Sequence, residues 1–188
     1  MQDPKDHLAD MLRSVRKEKK LSLDKAADLT GVSKAMLGQI ERGESSPTVS
    51  TLWKIATGFE VSLSSFIEPP SKKLGETAVR ESDDIRQHPA GEGLLIAPLF
   101  PYDDHLGFEY LELTIQSGYN RMSEPHAPGV IEFITIMEGA LEIYCDDLWH
   151  DLEVGQTIRF AGDRPHGYRN MSDQDAKVLT VIHYPNGR

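Results

Sequence analysis

The sequence predicts a two-domain protein, an all-α bundle of five short helices followed by an all-β sandwich or barrel. Three observations carry that expectation. Apolar residues across 7–67 recur at helical spacing, and from 108 onward they alternate with a period of two. Between the two patterns lies Glu68-Pro-Pro-Ser-Lys-Lys-Leu-Gly75, which cannot continue a helix. The expected boundaries are therefore 1–67 for the helical domain, 68–75 for a linker and 76–188 for the β domain.

In the helical part, Leu8, Met11, Leu12 and Val15 share one face of a first helix. Ser22 is a good N-cap for a second, with Leu23, Ala26 and Ala27 inward, and Gly31 suits the tight turn that follows. Ser33 caps a third helix with Met36, Leu37 and Ile40 as its apolar face, ending at Gly43. Thr48 caps a fourth that buries Val49, Leu52, Ile55, Ala56 and Phe59, and a short turn over 62–67 closes the bundle. In the second part, the segments 108–115, 131–137, 141–145, 157–160 and 177–182 read as strands separated by Gly, Pro and Asp.

Composition narrows the function classes. With 39% hydrophobic and 27% charged residues, the chain of 188 residues has the balance of a folded protein. No apolar stretch approaches the ~18–20 residues that span a bilayer, and the charged start lacks a signal peptide's apolar run, so the expected location is the cytoplasm, away from membranes. The single Cys145 excludes an intrachain disulfide framework and a cysteine-cluster zinc site; within an apolar strand it reads as inert packing.

The net charge of −10 is unevenly spread. Residues 1–70 hold 10 basic and 10 acidic side chains, so residues 71–188 carry the whole excess. Arg13-Ser-Val-Arg16-Lys17-Glu-Lys19-Lys20 concentrates five positive charges against one negative. Such local density is enough for phosphate contact, whereas the acidic part is repelled by nucleic acid.

The segment 21–43 holds a helix, a Gly turn and a second helix, the spacing that lets one helix cross a phosphate backbone while the next enters the major groove. An ordinary helical hairpin is the alternative. With Gly31-Val-Ser33, Leu37, Gln39-Ile-Glu41 and Gly43 together, the segment resembles the XRE-type helix-turn-helix family of the phage repressors, over residues 8–67. The resemblance implies a lambda-repressor-like domain bound to a double-stranded DNA operator. It places Ser33, Lys34, Ala35 and Gln39 toward the groove, Ser22 and Arg42 at phosphate, and Arg16 with Glu41 in an ion pair joining the first and third helices. Lys17, in the basic cluster, is a further candidate for phosphate. Ala35 and Gly38 replace larger polar residues of the family, which implies fewer direct base contacts. Trp53 reads as packing rather than base stacking.

The β-rich half contains Gly118-…-Glu124-Pro-His126-…-Glu132-…-Gly139 and Gly155-…-Ala161-Gly-Asp163-Arg-Pro-His166-…-Asn170, which resemble the paired motifs of the cupin family, a double-stranded β-helix or jelly roll. The resemblance implies a metal held by His126, Glu132 and His166, with Glu124 as a fourth candidate. Imidazole with carboxylate suits Zn, or Fe, Mn and Ni. Three departures stand out: Glu124 replaces the first His, the His126-to-Glu132 spacing is one residue long, and Ala161 and Asp163 replace Pro and Gly. A metal-free pocket lined by the same groups is the alternative.

Four further residues are candidates for an effector pocket: Arg159, whose planar fork suits a carboxylate, Tyr110 and Glu112 on one strand face, and His183 on the last strand. For Arg159 a surface ion pair is the alternative. His7, His88, His105 and His150 read as solvated, and Trp149 as cover for a sheet edge or subunit contact.

A reading helix and a cavity on one chain imply a ligand-responsive transcription regulator acting as a homodimer. The 33–41 and 45–56 strings, with Leu99-Phe-Pro-Tyr-Asp103 and Ile182-His-Tyr-Pro185, resemble the sulfur-utilisation regulators of this class, which implies a small, sulfur-containing amino acid or related metabolite as effector. Two alternatives come from other classes: a metal-dependent cupin enzyme such as a dioxygenase with a DNA-binding head, and a constitutive architectural DNA binder whose cupin only dimerises.

Overall fold

The computed structural model describes residues 4–68, 77–86 and 93–185, with side chains from His7 onward. Of the expected linker, only Glu68 falls within these residues, and His88 lies outside them. The helical head comprises α1 (Pro4–Glu18), α2 (Leu23–Thr30), α3 (Lys34–Glu41), α4 (Val49–Phe59) and α5 (Ser64–Ile67). Side-chain caps set three of the starts: Ser22, Ser33 and Thr48 accept the backbone N–H of Lys25, Met36 and Thr51. Gly31, at φ 65°, turns the chain left-handed between α2 and α3. Gly58 allows a close approach, since a Cβ there would sit 2.6 Å from the Leu29 carbonyl of α2.

After α6 (Ser82–Ile85), nine strands among the described residues form two facing antiparallel sheets. They are β1 (Leu94–Asp103), β2 (Phe108–Ile115), β3 (Asn120–Ser123), β4 (Ile131–Glu138), β5 (Ala140–Cys145), β6 (Leu148–Glu153), β7 (Thr157–Ala161), β8 (His166–Arg169) and β9 (Ala176–His183). The order is β1-β2-β9-β4-β7 in one sheet and β3-β8-β5-β6 in the other. This is the cupin jelly roll. Leu111, Ile134, Ile136, Val178 and Ile182 face Leu141, Ile143 and Tyr168 across the interior. The sequence pattern did not mark β1, β3, β6 or β8. β1 carries Pro98 and Pro101 and slips register between Pro98 and Asp103, while β3 and β8 are four residues each, too short to show a period.

Head and barrel share one apolar core. Polar pins cross the boundary: the buried Glu109 of β2 accepts the Ser64 N–H at 2.9 Å and the Tyr184 hydroxyl at 2.6 Å, and Ser64 Oγ accepts the Tyr102 N–H at 2.7 Å. Burial pushes the Glu109 carboxyl up, and burial followed by the nearby Glu109 raises the Tyr184 phenol well above its usual range. His7, expected in solvent, instead hydrogen-bonds the Ser65 carbonyl at 2.9 Å, because α1 packs along α5. None of the described helices is long and apolar enough to cross a membrane.

Candidate functional site

Two polar constellations stand out, one on the surface of the head and one inside the barrel. In the head, Lys17, Ser22, Ser33, Lys34, Ala35, Gln39 and Arg42 are all exposed. The apolar face of α3 turns Leu37 and Ile40 inward, so Lys34, Ala35 and Gln39 face out. Ser22 and Ser33 present their hydroxyls at helix N-termini, where free N–H groups suit phosphate. Lys34 is paired with Asp24 at 2.9 Å and Arg42 with Glu44 at 2.7 Å; both pairs are exposed and screened. Gly38 is buried, and a Cβ there would meet Arg42 Nη1 at 3.1 Å and Leu23 at 3.9 Å. Arg16 holds Glu41 in a fork, Nε to Oε1 at 2.5 Å and Nη2 to Oε2 at 2.8 Å, locking α1 to α3.

In the barrel, three elements bring His126, Glu132 and His166 together with ligand atoms within 4.8 Å of one another. Glu132 comes from β4, His166 from β8 and His126 from the loop between β3 and β4. The longer His126–Glu132 loop is stitched to the β7–β8 turn: His126 N–H donates to the Gly162 carbonyl and Gly129 N–H to the Asp163 carboxylate, each backbone donor finding an acceptor at 2.9 and 2.7 Å. Asp163, one departure from the family pattern, thus secures a second, the lengthened loop. Gly162 lets the cluster close, since a Cβ there would lie 2.9 Å from Glu132 Oε1 and 3.0 Å from His126.

His126 Nε2 lies 2.8 Å and His166 Nε2 3.4 Å from Glu132 Oε1. Their side chains are 6%, 0% and 0% exposed for His126, His166 and Glu132. Yet Glu132 Oε1 and His166 Nε2 have no oriented hydrogen-bond partner. His166 Nδ1 lies 2.8 Å from the Arg164 carbonyl, an acceptor only, so in the neutral ring the proton is on Nδ1 and the Nε2 lone pair faces the cluster. Lone pairs converging in a dry site are costly unless a cation joins them. The donor set therefore fits a divalent metal, with two imidazoles and one carboxylate leaving positions open for a ligand.

Around the cluster, the Tyr168 hydroxyl donates to Glu132 Oε2 at 2.7 Å and fixes the carboxylate. Burial pushes the Glu132 carboxyl up, but the His126 and His166 rings and the Tyr168 hydroxyl outweigh it and hold the group below its ordinary value. Burial, then the adjacent Glu132, raises the Tyr168 phenol well above its usual range, so it stays a donor. Trp53 of α4 reaches across from the head: its indole Nε1–H meets the His126 Nε2 lone pair at 3.4 Å, with ring centroids 5.7 Å apart, a hydrogen bond that a metal on that nitrogen would replace. The indole packs against the shared core, as expected of it, and touches the cluster as well.

Several expectations require correction. Glu124 is exposed and lies outside the three-residue cluster; it lines the adjoining cavity instead. Tyr110, Glu112, Arg159 and His183 do not enter the barrel. β2, β7 and β9 turn Glu109, Leu111, Phe160 and Ile182 inward, and the period of two sends the alternate residues to the outer face. There Glu112 pairs with Arg86 at 2.7 Å and Tyr110 stacks on Phe100 with centroids 6.5 Å apart, while Arg159 is exposed. Trp149 carries the Arg169 guanidinium 4.1 Å above its ring. Sequence reasoning missed Tyr168, although its place two residues after His166 on one strand gave it the same face. The charged Glu109 in step with Leu111 was a similar signal. Nothing local to Trp53 announced its partner.

Residues 12–66 match the helix-turn-helix family model HTH_3, and residues 112–182 match the cupin domain model Cupin_2. The HTH-type transcriptional regulator SutR of Escherichia coli (strain K12) is 44% identical over 178 residues, covering 95% of each chain. The HTH-type transcriptional regulator PuuR of the same organism is 25% identical over 170 residues, covering 90% of this chain and 91% of its own. The crystal structure of an HTH_3 family transcriptional regulator from Vibrio cholerae superposes with a TM-score of 0.79 at 43% identity, covering 96% of this chain and 97% of that one.

Proposed function

This chain belongs to the XRE-type helix-turn-helix transcriptional regulators that carry a C-terminal cupin domain, and from that membership we propose that its cupin senses a small metabolite and passes the signal to the reading helix. The observation that carries the reading is the contact of the Trp53 ring with the His126 ring: the head itself touches the cluster where a metal fits. In this reading Ser33, Lys34, Ala35 and Gln39 face the groove, and Lys17, Ser22 and Arg42 hold phosphate. His126, Glu132 and His166 hold a divalent metal, Zn or Fe, Mn or Ni. When bound, the metal would supply positive charge and Lewis acidity beside the effector cavity. Tyr168 orients Glu132, and the surrounding apolar walls exclude water. The resemblance of the 33–41 and 45–56 strings to the sulfur-utilisation regulators supports a sulfur-containing amino acid or related metabolite as effector.

The protein acts as a homodimer, since two reading helices on a twofold axis meet half-sites about 34–36 Å apart. The outer face of the five-stranded sheet supports that role for the barrel: Phe100, Phe133 and Met137 are exposed there beside the half-buried Tyr110, Leu179 and Val181. Sedimentation of the full-length Phe133→Asp variant should show a monomer where the wild type is a dimer; an unchanged dimer removes this face from the assembly.

The sensing role is tested by operator titrations with and without free cysteine or methionine, on wild type and on His126→Ala/His166→Ala. The double variant should fold and bind operator but lose the response. A full response in it would take the cluster out of the mechanism. Two His and one carboxylate are also the ligand set of non-haem iron oxygenases, which favours an oxygenase as the second reading. Oxygen consumption by the iron-loaded protein with candidate substrates decides between them.

A further inference from the structure

Between α4 and the barrel lies a cavity of about 160 Å³ that no part of the metal cluster fills. Its size suits one small metabolite. Its walls come from both domains. Trp53 and Lys54 stand on α4, while Leu113, Ile115, Arg121 and Glu124 belong to the barrel. Tyr168, which holds Glu132, also lines it, so the cavity and the cluster share the two side chains Trp53 and Tyr168.

The lining is chemically divided. Leu113, Ile115 and the Trp53 indole offer apolar surface, whereas Lys54 and Arg121 bring positive charge and Glu124 a negative one. None of these three charged residues forms an ion pair with another described residue, although ion pairs are frequent elsewhere on this surface. Lys54 and Glu124 also border a second hollow, of about 280 Å³, which extends to Gly31 in the turn before the reading helix. A ligand drawing these two side chains together would act directly on that turn.

We infer that this cavity is a composite effector site, half of it built by the DNA-binding head, and that it takes a small zwitterionic amino acid with an apolar side chain. The carboxylate is met by Lys54 and Arg121, the ammonium by Glu124, and the side chain lies on the Trp53, Leu113 and Ile115 surface. Charge-assisted contacts of this kind supply specificity in an otherwise apolar pocket. The inference rests on the reading that the cupin half senses a small metabolite, and it adds where the ligand sits, what class it is and which head residues touch it. It also gives the coupling a material form, because a ligand gripped by α4 and by the barrel favours one arrangement of the two domains.

The test uses the full-length protein with Trp149→Phe, which leaves Trp53 as the only tryptophan of the two in the chain. Its fluorescence is titrated to millimolar concentration with L-leucine and L-methionine, and with isoamylamine and 4-methylpentanoate, leucine analogues that each lack one charge. The zwitterions should give saturable changes, with each single-charge analogue binding about tenfold more weakly or worse. Lys54→Met and Arg121→Met, exposed changes that leave the fold intact by circular dichroism, should each weaken leucine or methionine binding about five- to tenfold. Equal binding of an analogue overturns the ligand class, as does failure of both zwitterions to bind. Unchanged affinity in Lys54→Met and Arg121→Met overturns the composite site. If those variants bind normally while His126→Ala/His166→Ala does not, the ligand sits wholly in the barrel: the sensing role stands and the head's share falls.

Discussion

The head keeps its functional groups in water, whereas the barrel keeps its own out of it. Lys34, Gln39 and Arg42 lie on the surface of α3 and its C-terminal end, where ion pairs such as Lys34–Asp24 are screened and contribute little to stability. His126, Glu132 and His166 are sealed inside, where an unpartnered lone pair costs far more. In the proposed reading the two ends of one signal therefore run on different physics: DNA binding sums small, salt-sensitive contacts, and sensing rests on a single buried cluster that is either satisfied or not.

The sharpest way to break the comparison is to look for a buried charge in the head. Arg16 and Glu41 are the exception there, 17% and 9% exposed and joined by two hydrogen bonds. Arg16→Met should cost about 3–5 kcal/mol of stability, because it strands the Glu41 carboxylate. Urea denaturation of the full chain checks this, and a loss below about 1 kcal/mol would make the pair equivalent to a surface contact. In the barrel, Tyr168→Phe removes the donor that fixes Glu132 and should weaken metal affinity about 10- to 100-fold while the protein stays folded. Competition with a chromophoric chelator measures it, and unchanged affinity would detach Tyr168 from the cluster.

Smaller effects belong to the exposed face. Gln39→Ala should cost about 1–3 kcal/mol and relax preference at one base pair. Lys17→Ala should weaken all sequences alike and reduce the salt slope by about 1. Binding isotherms on operator and scrambled DNA at several salt concentrations separate the two. A Gln39→Ala protein with unaltered preference would mean a different register for α3.

The smallest expected effect is a pH dependence at the boundary between the regions. Burial raises the Glu109 carboxyl above its unfolded value, so the folded state binds that proton more tightly. Its contribution is complete below the unfolded pKa and falls away as pH rises through the raised folded pKa. Glu109→Gln, which still accepts the Ser64 N–H, should flatten that loss. Thermal melts across the acid range check it, and parallel profiles for the two proteins would exclude Glu109 as the cause.

The head was legible because its signals are local. Ser22, Ser33 and Thr48 cap helices within three residues, and Gly31 turns the chain by its own backbone freedom. In the barrel the motif positions marked the buried cluster of His126, Glu132 and His166, but not which strand residues face the interior. A strand's inward face depends on a parity that one bulge or one buried charge can disguise. Arg159 and Phe160 differ by one residue and lie on opposite sides of the sheet. Tyr110 and Glu112 were correctly placed on one face, yet that face is the outer one, because Glu109 is among the residues turned inward. The residues that join the domains were least legible of all. Trp53 and His126 are 73 positions apart, and no local pattern encodes their meeting.

In the proposed function, occupancy of the buried cluster is felt at the reading helix through α4. The most direct measurement is the operator affinity of chelator-stripped protein against the same protein reloaded with Zn²⁺, at fixed salt, by fluorescence anisotropy. The account predicts a difference of about 5- to 150-fold, with the same factor appearing in Zn²⁺ affinity when operator is present or absent. Identical operator affinities for stripped and loaded protein, with the metal verified as bound, would contradict it.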